Sequence, residues 1–255
     1  MAAAVRLVQL TDCHLTASPD GLVKGCETQQ SLDAVVAAAL EAGGPRPDAV
    51  LATGDIAQDG SRAAYQRFRR RLSDTGLPVM CIPGNHDDPA TLADVCSGGD
   101  FSVGGSATIG AWQLVLLSTW DGDRGGGRLS AGEIARLEET LARTTGPHVL
   151  VVIHHHPVPI GSAWLDSVAL DNGPELLRLV DGHPRVRGLL WGHVHQAHDS
   201  WRNDMRLMGS PSTCFQFRPG TDVPEVDTAP PAWRTLELHA DGEIRTRVEW
   251  LRGAT

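Results

Sequence analysis

The sequence predicts an α/β fold, and two observations predict it. Short apolar segments alternate with longer stretches of helical periodicity through most of the chain. Five of these apolar segments also stop abruptly at polar, chemistry-bearing residues. Runs this short and this apolar read as strands covered on both faces. Strands of that kind alternating with amphipathic helices indicate layers of helix on sheet.

Taken in order, Val5–Leu10 is the first strand and runs into Thr11-Asp12-Cys13-His14. Thr28–Ala42 carries Leu32, Val35, Val36, Ala39 and Leu40 at helical spacing and stops at Gly43-Gly44. Ala49–Ala52 is a strand ending in Thr53-Gly54-Asp55. Ser61–Thr75 is a helix, with Ser61 as its cap and Gly76 as its stop. Val79–Ile82 is a strand ending in Pro83-Gly84-Asn85-His86-Asp87. Trp112–Leu117 is a strand without such a polar ending, and Gly122–Gly127 is a loop that could lie over a site. Ser130–Thr144 opens with Ser130 and Glu133 at the spacing of a capping box.

Val149–Ile153 is a strand leading into His154, His155, His156 and Pro157. Asn172–Val180 is a helix with an Asn cap, Pro174 in its first turn and Glu175 behind it. Val186–Trp191 is a strand leading into Gly192-His193-Val194-His195. Residues 219–231, rich in Pro and Asp, predict an irregular loop. Thr235–Leu238 and Ile244–Trp250 alternate apolar and polar around Asp241-Gly242, which predicts a hairpin over 235–250. No linker-like run divides the chain, so one domain is expected across 1–255.

The formal net charge of -9 argues against a stable nucleic-acid partner, which would need a basic face. A small phosphorylated ligand is still allowed, because bound cations reverse the local field. Five cysteines, an odd number without C-x-x-C spacing, fit free thiols in a reducing cytosol, so a cytoplasmic location is expected. No signal-peptide pattern opens the chain, and no run of about 18 apolar residues could span a membrane.

The strand endings carry the chemistry. Parallel strands bring their C-terminal ends to one sheet edge, where ligand sites form. Five segments thus deliver Asp12, His14, Asp55, Asn85, a histidine of the run His154-His155-His156, His193 and His195 together. Asp12 and His14 are two residues apart, as are His193 and His195. If the chain stays extended there, each pair points one way and grips one ion. Imidazole with carboxylate and amide oxygen suits borderline divalent metals. Asp55, alone on its strand, is placed to bridge two ions roughly 3.5–4 Å apart, the arrangement that clamps both oxygens of a phosphoryl displacement. A single D-x-H or G-D would be incidental; five motifs, each at the end of a strand, are not easily so. Buried His and Asp with no ion or partner would also be costly. Cys13, between two of these residues, reads as a small buried hydrophobe.

The series D-x-H, G-D, G-N-H-D, H-H-P and G-H-x-H resembles the calcineurin-like metallophosphoesterases over nearly the whole chain. His154-His155-His156-Pro157, Trp164-Leu165-Asp166, Pro211–Cys214 and Trp233–Leu238 resemble, more narrowly, the bacterial class III 3′,5′-cyclic-AMP phosphodiesterases. The resemblance implies a four-layer αββα sandwich of two mixed sheets. It implies one ion held by Asp12, His14, Asp55 and His195, and a second held by Asp55, Asn85, His155 and His193. Iron or manganese is expected, with zinc, nickel or cobalt as alternatives.

The implied reaction is attack by a metal-bridging hydroxide on the phosphodiester of 3′,5′-cyclic AMP. Other substrates of the same chemistry are 2′,3′-cyclic nucleotides, glycerophosphodiesters and other phosphate esters; a non-catalytic scaffold on the same fold is the remaining reading. Asn85 and His86 would position the phosphate, and His86 would protonate the leaving oxygen. Asp87 would orient that imidazole or cap the next segment, His154 would finish its strand, and His156 would neighbour the site. Trp164–Asn172 and Ser212–Phe217 are candidate walls for base and sugar. Relatives are often dimers, so the resemblance allows a homodimer, which no feature of the sequence requires.

Overall fold

The computed structural model describes residues 4–41, 45–122 and 124–253. Ala42 and the Gly43-Gly44 stop expected after the first helix lie outside the described residues, as does Asp123 of the Gly-rich loop. The strands in chain order are β1 (Val5–Leu10), β2 (Leu22–Val23), β3 (Cys26–Glu27), β4 (Ala49–Thr53), β5 (Val79–Ile82), β6 (Phe101–Val103) and β7 (Gly105–Ile109). They continue with β8 (Trp112–Leu116), β9 (His148–Val152), β10 (Val186–Trp191), β11 (His198–Arg202), β12 (Met205–Gly209), β13 (Ala232–Leu238) and β14 (Ile244–Trp250). The helices are α1 (Thr28–Val36), α2 (Arg62–Ser73), α3 (Pro89–Val95), α4 (Ala131–Arg143), α5 (Ala163–Asp166) and α6 (Gly173–Asp181).

Two six-stranded mixed sheets face each other, ordered β14-β13-β1-β4-β5-β6 and β11-β12-β10-β9-β8-β7. Each has a parallel centre: β1, β4 and β5 in the first, β8, β9, β10 and β12 in the second. Three apolar clusters account for the layering. α1, α2 and α3 bury Leu32, Val35, Phe68, Leu72 and Leu92 against the outer face of the first sheet. α4 and α6 bury Leu137, Leu141, Leu176 and Val180 against the outer face of the second. Between the sheets, Leu7, Leu51, Ile82, Trp112, Leu150, Val152, Leu190 and Leu236 interdigitate. Strands apolar on both faces are what a sheet sandwiched between helices and a second sheet requires, and the result is the four-layer αββα architecture.

Some details differ from the sequence reading. The first helix is regular only to Val36 and continues as a π-helical turn, Ala37–Glu41. Ser130 caps α4 by accepting from the Glu133 N–H at 3.1 Å, but the capping box is only half made. The Glu133 carboxylate is drawn away to the Ser118 N–H and to Arg136. Asn172 does not cap α6 with its side chain; it ties Leu129 to Glu175 instead. The C-terminal hairpin begins three residues earlier than the alternation suggested, at Ala232. The strands missed by sequence reading are β2, β3, β6, β7, β11 and β12; most are short or exposed, and none carries a continuous apolar run long enough to stand out.

Candidate metal centre

The C-terminal ends of β1, β4 and β5 in one sheet meet those of β9 and β10 in the other. The turns beyond these strands are not extended. Among the described residues, seven non-glycine positions have positive φ, and five of them are Asp12, His14, Asp55, His193 and His195. The left-handed region is disfavoured for such side chains, and residues held there cluster at functional sites. This replaces the expectation of extended i, i+2 pairs. Asp12 and His14 do converge, but His193 and His195 part company and join different clusters.

The first cluster is Asp12, His14 and His195. His14 Nε2 lies 3.1 Å from His195 Nε2, and His195 Nε2 lies 3.4 Å from Asp12 Oδ1. His195 Nδ1 donates to the Phe215 carbonyl at 2.7 Å, which leaves Nε2 as a lone pair facing the cluster. Donors bound at 2.0–2.1 Å to one ion stand roughly 3.0–3.4 Å apart, so these spacings suit a shared cation. Asp55 adjoins, with Oδ2 3.8 Å from His14 Nε2.

The second cluster gathers His155 and His193, with Asn85 beside them. Asn85 Oδ1 is 3.1 Å from His193 Nδ1. His155 Nδ1 shares a 2.7 Å hydrogen bond with the Thr119 hydroxyl, and its Nε2, though buried, has no partner. Gly127, at the end of the Gly-rich loop, packs so closely that a Cβ there would stand 2.2 Å from the His155 ring. That loop therefore does reach the site. His154 belongs sterically to both clusters, buried beside Asp12 and Asp55 as well as His155 and His193.

The electrostatics follow from burial and crowding. Burial drives the His14 imidazole down to about 4, and it holds His155 and His193 well below their ordinary value. All three are neutral at pH 7, as ligands must be. Burial opposes ionisation of Asp55 and Asp12, but the neighbouring histidines outweigh it and keep both carboxyls below their usual range. His154, also buried, is pushed up to about 9 by Asp55 and Asp12. Two buried carboxylates with the neutral imidazoles of His14, His155 and His193, and an unpartnered ring nitrogen on His155, form a donor set that a pair of cations fits.

His86 sits at the rim, partly exposed. Its ring is 5.0 Å from that of His14, its backbone N–H donates to Asp55 Oδ1 at 2.9 Å, and its Nδ1 meets Gln58. Asp87 neither orients His86 nor caps α3. It accepts from the backbone N–H groups of Ile56, Ala57 and Gly84 and from the Tyr65 hydroxyl, tying two site loops together. Burial, then the charge of Asp55, pushes it up to about 6. The cap of α3 is Asp88, whose side chain accepts from the Thr91 N–H. His156 stacks on His193 and points Nε2 toward Asp166, 3.4 Å away.

The two expected walls are only partly walls. Ser212 and Thr213 lie buried beneath the Thr11–His14 turn, bonding the Asp12 carbonyl and the Thr11 carbonyl. Phe215 and Phe217 do reach the imidazoles, and Trp164 meets Phe217 edge to face at 4.7 Å. Trp233–Leu238 lies in β13 and turns Trp233 into the helix-side core. Thr119 and Gln58 carry no motif that could have flagged them, whereas Gly127 falls in the Gly-rich loop expected over a site.

Comparisons with known proteins agree with this geometry. The family model for calcineurin-like phosphoesterases matches residues 5–197. A 3′,5′-cyclic adenosine monophosphate phosphodiesterase, CpdA, of Escherichia coli (strain K12) is 40% identical over 253 residues, covering 98% of this chain and 90% of the relative. The protein of that name from Vibrio vulnificus (strain CMCP6) is 39% identical over 249 residues, covering 97% and 90%. Among solved structures, a dimetal phosphatase from Danio rerio superposes with a TM-score of 0.65 at 15% identity, covering 98% of this chain and 100% of its own. At that identity the likeness speaks for the fold.

Proposed function

The chain belongs to the calcineurin-like phosphoesterase family, and we propose that it hydrolyses 3′,5′-cyclic AMP to 5′-AMP. What carries this reading is a full donor set at the strand ends, in a chain about two-fifths identical along nearly its whole length to cyclic-AMP phosphodiesterases. In this assignment one ion is held by Asp12, His14, Asp55 and His195. The other is held by Asp55, Asn85, His155 and His193. Iron or manganese suits the mixed nitrogen and oxygen set, and zinc, nickel or cobalt would also fit. When bound, the pair supplies an activated water and neutralises charge on the phosphate oxygens.

The chain's own residues do the rest. Asn85 and His86 position the phosphate at the rim. Water adds to phosphorus, the bond to the 3′-oxygen breaks, and that oxygen takes a proton from His86. Gln58 holds the His86 ring for this task. Phe217 and Trp164 offer an apolar face beside His195 for the purine. A cyclic nucleotide is thus the partner, and among the described residues no helix is long and apolar enough to cross a membrane.

The test is kcat/KM for 3′,5′-cyclic AMP, 3′,5′-cyclic GMP and 2′,3′-cyclic AMP with manganese added. Hydrolysis of 3′,5′-cyclic AMP to 5′-AMP is expected, with a modest margin over cyclic GMP, since one base-edge hydrogen bond is worth about 1–3 kcal/mol. Strong preference for the 2′,3′ isomer, with 3′,5′-cyclic AMP near background, would overturn the substrate assignment.

A further inference from the structure

Three consecutive histidines are fully buried at the end of β9, and the ligand assignment uses only the middle one. His154 is the one that stands against the bridging carboxylate. Its Nδ1 meets the Thr53 carbonyl at 2.7 Å, and its Nε2 faces Asp55 Oδ2 at 3.4 Å with no other partner. Room for the ring is built into two motifs. A Cβ on Gly54 would stand 2.3 Å from His154 Nδ1, and a Cβ on Gly84 would stand 2.6 Å from Nε2. The glycines of G-D and G-N-H-D therefore leave space for this imidazole. At Gly54 the φ of +99° also excludes most side chains.

Behind His154 runs a buried polar chain. The Thr53 hydroxyl accepts from Gln9 Nε2 at 2.8 Å, and the same nitrogen donates to the Trp191 carbonyl at 3.1 Å. Gln9 Oε1 accepts from the Ser210 hydroxyl, which in turn accepts from Arg234 Nε at 2.8 Å. Arg234 is 2% exposed and spends its other donors on the carbonyls of Gly209 and His198 and on the Thr246 hydroxyl. It forms no ion pair among the described residues; Asp199 is engaged by Arg206. The links cross between the sheets repeatedly: Arg234 on β13, Ser210 after β12, Gln9 on β1, Thr53 on β4, His154 after β9. Burying a guanidinium without a carboxylate is costly, and a fully connected network of carbonyls and hydroxyls is what offsets it.

We propose that His154 is a positioning residue for the dimetal centre: it holds the bridging Asp55 carboxylate in place, and it is held in turn by the backbone carbonyl of Thr53, the residue whose hydroxyl the Gln9–Ser210–Arg234 chain fixes. This rests on the ligand assignment above. Side chains that orient a ligand in this way commonly change metal affinity or activity about 10–100-fold when removed.

The experiment is a manganese titration with two readouts, ions bound per chain and the electron paramagnetic resonance signal of the coupled manganese pair, beside kcat and KM. For His154→Ala two ions should still bind at saturating manganese. The coupling signal should change and kcat should fall about 10–100-fold with KM little altered. His154→Gln, which can offer an N–H toward Asp55, should recover part of both, and it serves as the test protein if the alanine variant does not fold. Ser210→Ala, remote from the ions, should shift the coupling signal in the same direction with a smaller loss of kcat. One ion at saturation in His154→Ala or His154→Gln, where the wild type binds two, would make His154 a ligand and overturn the inference alone. Wild-type coupling and kcat in the His154 variants would overturn it equally. Fewer than two ions in the wild type would overturn the ligand assignment and this inference with it.

Discussion

The two halves of the centre are built differently. The first cluster has a carboxylate of its own, Asp12, and its His195 ring is held by a backbone carbonyl, that of Phe215. The second has none of its own and would share Asp55 under the proposed assignment, and its His155 ring is held by a side chain, the Thr119 hydroxyl. Charge and rigidity thus favour the first. Two ions bound through one bridge need not be bound equally, and the weaker one should be the one whose ligands, apart from the shared Asp55, are all neutral. The protein then resembles a fixed site with an adjustable one beside it.

The largest expected effect comes from cutting the feature both halves share. Asp55→Ala should lose both ions and with them several kcal/mol of transition-state stabilisation, at least about 10³-fold in turnover. Metal analysis beside the activity assay checks it; full metal content in this variant would break the comparison at its root.

His86 is assigned to neither ion, although a ring nitrogen lies within 4.8 Å of donor atoms of His14 and Asp55. His86→Ala should retain both ions yet lose about 10²–10³-fold in kcat on a poor leaving group. The deficit should shrink on an ester with an activated leaving group, which needs no proton. Equal loss on both would mean that His86 grips the phosphate without donating a proton.

A smaller change separates the halves. Thr119→Val removes the anchor of His155 and nothing from the first cluster, so one ion should weaken about 10–100-fold while the other keeps its affinity. Calorimetric titration resolves the two steps. Parallel weakening of both would show that the halves are not independent.

The smallest effect is on the metal-free protein. His14 is lowered to about 4, and His155 and His193 are lowered too, all by burial. Between pH 6.5 and about 4 the unfolded chain binds protons that the folded chain refuses, so stability should fall as pH drops through that window. His154, raised to about 9, acts with the opposite sign: its contribution is complete below 6.5 and lost as pH rises through 9. Tm of the chelated protein should therefore peak near pH 6.5. A flat Tm from pH 5 to 6.5 would show that the empty pocket opens to water and leaves the rings ordinary.

The sequence by itself determined a good deal. Periodicity was enough for the central strands, because a strand buried on both faces must be largely apolar: Val79–Ile82 carries that signature unaided, and Val5–Leu10 and Val186–Trp191 carry it apart from Arg6, Gln9 and Arg187. The chemistry at their ends was legible because ligands must follow strands whose ends share an edge. Tertiary structure decided the rest. Which strands pair across 100 or more residues, as β1 with β13, depends on register between distant segments, which no local pattern encodes. The left-handed turns at Asp12, His14, Asp55, His193 and His195 are held by the structure around them, so the extended backbone on which the pairing of Asp12 with His14 and of His193 with His195 was conditioned is not formed. Asp87 could not be assigned from its neighbours in sequence, because its partners are the N–H groups of Ile56 and Ala57 and the Tyr65 hydroxyl. Arg234, Gln9, Thr119 and Gln58 looked like ordinary polar residues. A hydrogen bond has direction and short reach, so its partner is known only once the sheets have closed on it.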